Sequence, residues 1–112
     1  MEIKTKEADG VTFVHMSGRL TSTTSGPVYD ELVRVAQSGT KKVVINVSDL
    51  DFIASSGLRS ILVAAKLLKG SRGEIRICGA NETVKKVFQT SGFDSLIRLC
   101  ADEKEAVASF KT

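Results

Sequence analysis

Residues 41–66 read KKVVINVSDLDFIASSGLRSILVAAK. The stretch opens like a β-strand and closes like an α-helix. KKVVINV is a nearly continuous apolar run behind its lysines, the pattern of a strand buried on both faces. From Leu58 onward, Leu58, Ile61, Leu62, Ala65 and Leu68 recur every three or four positions, which predicts a helix from Ser55 or Ser56 to near Gly70. Between the two runs lie SDLDFI, read as a loop from Asp49 to Ala54, and then two serines and a glycine. Small hydroxyl residues at such a junction have an ordinary task. The first N–H groups of a helix lack intrahelical partners, and a serine oxygen can accept from one of them. One serine is enough for that. The other is then expected to present its hydroxyl outward, at the end of the helix where the dipole favours negative charge.

The flanks extend the alternation. VTFVHMSG, residues 11–18, is rich in β-branched and aromatic residues and reads as a strand, with EIKTKE as its hairpin partner across ADG. Pro27 suits the first turn of a helix, Val28, Leu32, Val35 and Ala36 recur at helical spacing, and Gly39 stops the run. Downstream, GEIRIC is a strand, and NETVKKVFQTSG is a helix with Val84, Val87 and Phe88 on one side, stopped by Gly92. LIRLC is a short strand. DEKEAVASF is a closing helix in which Asp102 and Glu105 form a capping box. The order β-β-α-β-α-β-α-β-α predicts an α/β fold, a mixed sheet with parallel pairs joined by right-handed crossovers.

The totals agree with one domain. The chain has 112 residues, 42% hydrophobic and 26% charged, enough for one core without a metal or disulfide staple. Order is expected nearly end to end, with fraying at Met1 and at Lys111 and Thr112. Net charge is +3. Lys41 and Lys42, Lys85 and Lys86, and the set Lys66, Lys69 and Arg72 would be the contacts of a nucleic-acid binder. They are spread along the chain, and an aromatic content of 5% leaves no stacking platform, so no nucleic acid is expected as a partner. Cys78 and Cys100 each end an apolar run and read as buried thiols in adjacent strands, not as a bridge. Without a CxxC or Cys/His cluster no zinc site is expected, and reduced thiols suit the cytoplasm. MEIKTKEADG has acids and no apolar centre, so it does not read as a signal peptide, and no apolar run is long enough for membrane insertion.

Catalytic patterns are missing. His15, the single histidine, sits in mid-strand and reads as a surface or half-buried strand residue, and SSG is not GxSxG. GSRG, residues 70–73, is a turn that precedes a strand, the wrong element to cradle phosphate. Asp49 and Asp51 flank Leu50 and could hold Mg²⁺, though loop solvation and capping are their ordinary roles. No catalytic residue, metal or cofactor is assigned. A phosphate on Ser55 or Ser56 would bring a charge of about −1.5 to −2 to a helix start that favours it, so the local chemistry permits a switch from a neutral to an anionic docking surface.

VVINVSDLDFI, SSGLRSIL and EIRICGANETVKKVFQTSGF, in this order and at these distances, resemble the STAS-domain anti-sigma factor antagonists of bacteria, and MSGRL resembles that family's strand ending in Gly before the first helix. The likeness spans roughly residues 5–108. It implies a four- or five-stranded sheet with about four helices and a partner-switching function. The unphosphorylated antagonist binds an anti-sigma factor, a GHKL-type serine kinase, and so frees a sigma factor. The kinase phosphorylates one serine, and a metal-dependent Ser/Thr phosphatase removes the phosphate. By position that serine is Ser55, with Ser56 as the fallback. The implied docking surface is the tip from Gly18 through Thr21, Ser22, Thr23 and Thr24, the segment with Asp49, Asp51 and Ala54, and the helix start with Ser55, Ser56, Gly57 and Arg59. The family often carries Asp where this chain has Ala54 and Thr21. Two other readings remain: a STAS scaffold or sensor subunit of another complex, for example in lipid transport, without serine phosphorylation; and a small enzyme or phosphate-ligand binder using the Ser55 helix start.

Overall fold

Asp9 and Gly10 both take left-handed backbone, with φ of 54° and 79°. That is the conformation a tight hairpin turn requires and that Asp-Gly tolerates. The turn folds β1 (Glu2–Ala8) antiparallel onto β2 (Val11–Leu20). This is a computed structural model, and it describes residues 1–110 of the chain; the fraying expected at 111–112 lies outside the described residues. From β2 onward strands and helices alternate: α1 (Ser25–Ala36), β3 (Lys42–Ile53), α2 (Ser55–Gly70), β4 (Glu74–Cys78), α3 (Glu82–Thr90), a 3₁₀ turn at Phe93–Ser95, β5 (Arg98–Cys100) and α4 (Glu103–Ser109).

The sheet order is β1-β2-β3-β4-β5, with β2 to β5 parallel. Each crossover steps the same way across the sheet. Right-handed connections therefore lay α1, α2 and α3 on one face. There Val14, Met16, Ile45 and Ile77 of the strands meet Leu32, Ile61, Leu68 and Phe88 of the helices in one buried cluster. On the other face α4 closes a smaller cluster over Val11, Val44, Cys78 and Cys100. Val43, Val44 and Ile45 are thus covered from both sides, as the apolar run predicted. Beyond α4 that second face is open, with Lys4 exposed and Phe13 and His15 half-buried.

Local chemistry fixes the remaining joints. Cys78 and Cys100 stand opposite each other in β4 and β5 as free, buried thiols. Burial pushes the Cys78 thiol up to about 12 and raises that of Cys100, so both stay protonated and unreactive. The Asp102 carboxylate accepts from the Glu105 N–H at 2.8 Å, capping α4. Glu31 of α1 accepts from the Thr5 hydroxyl of β1 and from Arg34, whose guanidinium holds its carboxyl down at about 2.

The segment Asp49–Ile53, expected as loop, is strand. β3 slips twice against β2, between His15 and Ser17 and between Gly18 and Arg19. Each slip places an extra residue in β3, a β-bulge. As a result Val47, Leu50 and Ile53 all reach the helix-covered core at three-residue steps. The period of two that marks a strand is lost. Nor does Gly18 end β2. It takes φ of 103° at the second slip, and the strand continues to Leu20.

Candidate functional site

β2 and β3 end side by side. The Ala54 N–H donates to the Leu20 carbonyl at 2.8 Å, joining the last residue of one strand to the residue before α2. The first turn of α2 then lies directly on the two strand ends. Gly57 makes that possible: a Cβ there would stand 2.5 Å from Leu20 Cγ and 3.1 Å from Ile53 Cγ1. Next to it, Thr21 to Thr24 form a turn that satisfies its own polar groups. The Thr21 N–H donates to Thr24 Oγ1 at 2.8 Å, the Thr24 hydroxyl donates to the Arg19 carbonyl at 2.9 Å, and the Ser25 N–H donates to the Thr21 carbonyl at 2.9 Å. Such a turn is held in shape without a partner and can present a fixed surface.

Neither serine caps α2, which corrects the capping expectation. The helix starts at Ser55, so the cap position falls to Ala54, extended at φ −92° and ψ 168° and without a side-chain oxygen to offer. Ser55 is exposed. Ser56 Oγ is buried and has no hydrogen-bond partner among the described residues. The first turn contains no acid. The positive end of the α2 dipole is therefore neither capped nor neutralised. α1 shares this lack, though its first serine, Ser25, is half-buried, whereas Asn81 caps α3 and Asp102 caps α4, each accepting a backbone N–H at 2.8 Å. One turn into α2, Arg59 is exposed at the position four residues after Ser55, on the same side of the helix.

The structure thus gathers Thr21 to Thr24, Ala54 to Gly57 and Arg59 at one edge of the sheet, the edge where β2 and β3 end. Asp49 stands farther back, opposite Ser17, and its carboxylate meets His15 Nε2 at 2.9 Å. Asp51 is exposed in the stretch where β3 gains its second extra residue. Gly18 faces Leu50 across the strands, and the Cα of Met1 would lie 3.1 Å from a Cβ at Gly18. No group of three or more His, Cys, Asp or Glu suited to a metal ion occurs among the described residues, and no described helix is long and apolar enough to cross a membrane.

Two contacts near this edge escape the sequence. The Arg19 guanidinium stacks on Phe52 at 4.7 Å from the ring centroid. The two meet only because the second bulge sets Arg19 opposite Phe52, and no spacing rule announces a bulge. Asn81 donates to the Leu50 carbonyl at 3.1 Å while capping α3, so it ties the start of that helix to β3. The sequence does carry a signal for its capping half: Asn stands three residues before Val84 at the opening of an apolar-periodic run.

Comparison with known proteins gives a consistent result. A family model described as the STAS domain matches residues 2–106. A Bordetella bronchiseptica protein with the provisional name anti-sigma factor antagonist BtrV is 32% identical over 112 residues, covering 100% of this chain and 97% of that protein. The anti-sigma F factor antagonist of Paenibacillus polymyxa is 29% identical over 114 residues, covering 99% of this chain and 96% of its own length. Among solved structures, an anti-sigma factor antagonist from Mycobacterium paratuberculosis superimposes with a TM-score of 0.92 at 19% identity, covering 99% of this chain and 94% of the other, a likeness of fold.

Proposed function

Because this chain belongs to the STAS domain family, we propose that it is an anti-sigma factor antagonist, a cytoplasmic binding module rather than a catalyst, switched by phosphorylation of Ser55. Unphosphorylated, it docks through the edge formed by Thr21 to Thr24 and the start of α2 onto an anti-sigma factor serine kinase of the GHKL type, which releases a sigma factor. The kinase transfers the γ-phosphoryl group of ATP to Ser55 Oγ. The new O–P bond replaces the β–γ anhydride bond, ADP leaves, and the hydroxyl proton passes to solvent. A metal-dependent Ser/Thr phosphatase restores the hydroxyl.

One observation carries this reading: Ser55 is exposed in the first turn of a helix whose amino end has neither a capping oxygen nor an acid. A phosphate there meets free N–H groups and the positive end of the dipole, with the Arg59 guanidinium in reach four residues on. The same phosphate puts about −1.5 to −2 of charge in the middle of a packed contact, where like charge and desolvation oppose docking. Ser56 is the weaker acceptor, since its oxygen is buried. Incubation with the cognate kinase and ATP should add one phosphate, located on Ser55 by mass spectrometry. Ser55→Asp should weaken docking about tenfold or more and Ser55→Ala should preserve it. Equal affinity of the two variants, or phosphate found elsewhere, defeats the switch.

The scaffold reading keeps one observation in its favour. Ala54 and Thr21 place no carboxylate beside Ser55, where relatives often carry two. A pull-down that returns transporter subunits and neither kinase nor phosphatase would select it.

A further inference from the structure

The far end of α2 carries a second feature. Between the carboxy-terminal half of that helix and the β4–β5 edge runs a groove whose lining includes Leu62, Ala65, Ile75 and Ile97. Lys66, Lys69 and Arg72 border it from the helix and the turn after it, and Arg98 borders it from β5. Its lining also includes Leu96, which is 67% exposed, the most exposed large apolar side chain of the described residues. One further cation, Arg76, is engaged by Glu74 at 2.8 Å and stacks on Phe110.

The charge here is concentrated. The chain as a whole carries +3, yet this one groove is bordered by four cations, Lys66, Lys69, Arg72 and Arg98. The acid beside it, Glu74, is paired with Arg76, whose guanidinium is held by Ser109 and Phe110 at α4. Lys66, Lys69 and Arg72 are close in sequence; Arg98 joins them because β5 pairs with β4, beside whose start α2 ends. Lys66, Lys69, Arg72 and Arg98 make no salt bridge within the described residues. Lys69 also sits in the last turn of α2, where a cation complements the dipole. That accounts for one lysine, not for Arg98 on the opposite wall.

We propose that this groove is a second docking site, for an acidic amphipathic segment of a partner protein. The segment lays its apolar side chains against Leu96 and the groove floor, and its carboxylates meet Lys66, Lys69, Arg72 and Arg98. The chemistry separates this occupant from others. A nucleic acid wants stacking rings, and none line the groove. A lipid surface wants a protruding or flat basic face, whereas this one is concave with an apolar floor. The groove begins about two helical turns beyond Ser55 on α2, so roughly 10 Å or more separates it from the amino-end site at about 1.5 Å per residue. Occupation of this site is therefore independent of the phosphorylation state of Ser55, and the site stands whether or not the switch does.

The test is an NMR titration of the full chain with a synthetic peptide of about three helical turns, leucines at helical spacing and glutamates elsewhere. Amide shifts should gather at Leu62, Lys66, Lys69, Leu96 and Ile97. Replacing the peptide's glutamates by glutamine should weaken binding about tenfold, as should the double change Lys66→Glu and Lys69→Glu. Leu96→Ser, at an exposed position, should weaken it several-fold with the fold intact. Ser55→Asp should leave it unchanged. The proposal is overturned if shifts gather at Ser55 or spread over the surface, if the glutamine peptide binds equally well, or if an oligonucleotide or vesicles of anionic lipid bind the groove in the peptide's place.

Discussion

The two ends of α2 handle charge in opposite ways. At the amino end the sequence offers Ala54, Ser55, Ser56 and Gly57, small residues without a carboxylate in the first turn. At the carboxy end it offers Lys66, Lys69 and Arg72. The helix dipole alone would favour negative charge at the first end and positive at the second. Only the second is supplied by the sequence. The first is left open, so its charge can be set from outside by a reversible modification. A permanent acid in that turn would satisfy the dipole and remove the contrast between the two states. The proposed switch at Ser55 rests on that imbalance.

The largest expected effect tests how tightly the amino end is built. Gly57→Ala places a Cβ into the side chain of Leu20, and either α2 lifts from the strand ends or Leu20 repacks. A loss of about 2 kcal/mol is expected in urea unfolding. Gly70, the last residue of the same helix, has nothing within 4 Å of its would-be Cβ. Gly70→Ala should therefore gain up to about 1 kcal/mol from helix propensity alone. If both changes shift stability alike, the close approach at the amino end is not what Gly57 provides.

A smaller effect sharpens the electrostatic half of the comparison. Ala54→Asp gives α2 the capping oxygen that α3 and α4 already have, and it places a negative charge at the dipole's positive end. Stability should rise by about 1 kcal/mol, measured by chemical denaturation. The carboxylate also stands next to any phosphate on Ser55, so phosphorylation should no longer stabilise the helix start to the same extent. A variant with unchanged stability would mean that the N–H groups at this end are already satisfied by solvent.

Most of the architecture was legible because it rests on periodicity. Val28, Leu32, Val35 and Ala36 fall on the buried side of α1, and Val84 and Phe88 on that of α3, because a helical stripe leaves a period that survives packing. β3 was read short for the converse reason. Its two bulges convert a two-residue rhythm into the three-residue steps of Val47, Leu50 and Ile53, and a bulge depends on the neighbouring strand. The same limit hid the stacking of Arg19 on Phe52. Residue types marked where β3 gives way to α2, but which residue caps the helix is decided by the backbone. A start one residue earlier than a serine cap requires moved Ser55 into the helix and buried the oxygen of Ser56. The basic groove was not legible either: Lys66, Lys69 and Arg72 stand close together in sequence, but Arg98 and Leu96 join them only in the folded chain.

The smallest effect separates the two adjacent serines. Ser56 Oγ is buried without a partner, and a buried hydroxyl left unpaired costs free energy that a methyl group does not. Alanine also favours the helix slightly more than serine. Ser56→Ala should therefore raise stability by about 0.5 kcal/mol and leave docking unchanged, because the oxygen it removes is not presented to a partner. Ser55→Ala removes an exposed hydroxyl and should leave stability within about 0.5 kcal/mol of the parent while abolishing phosphorylation. The pair of variants thus reports on two neighbouring oxygens with opposite roles, one inside the packing and one outside it. Should Ser56→Ala prove destabilising, the hydroxyl has a partner in solution, such as an ordered water, and the amino end of α2 is better satisfied than its geometry shows. The positive potential at Ser55 would then be weaker, and the effect of a phosphate on it smaller.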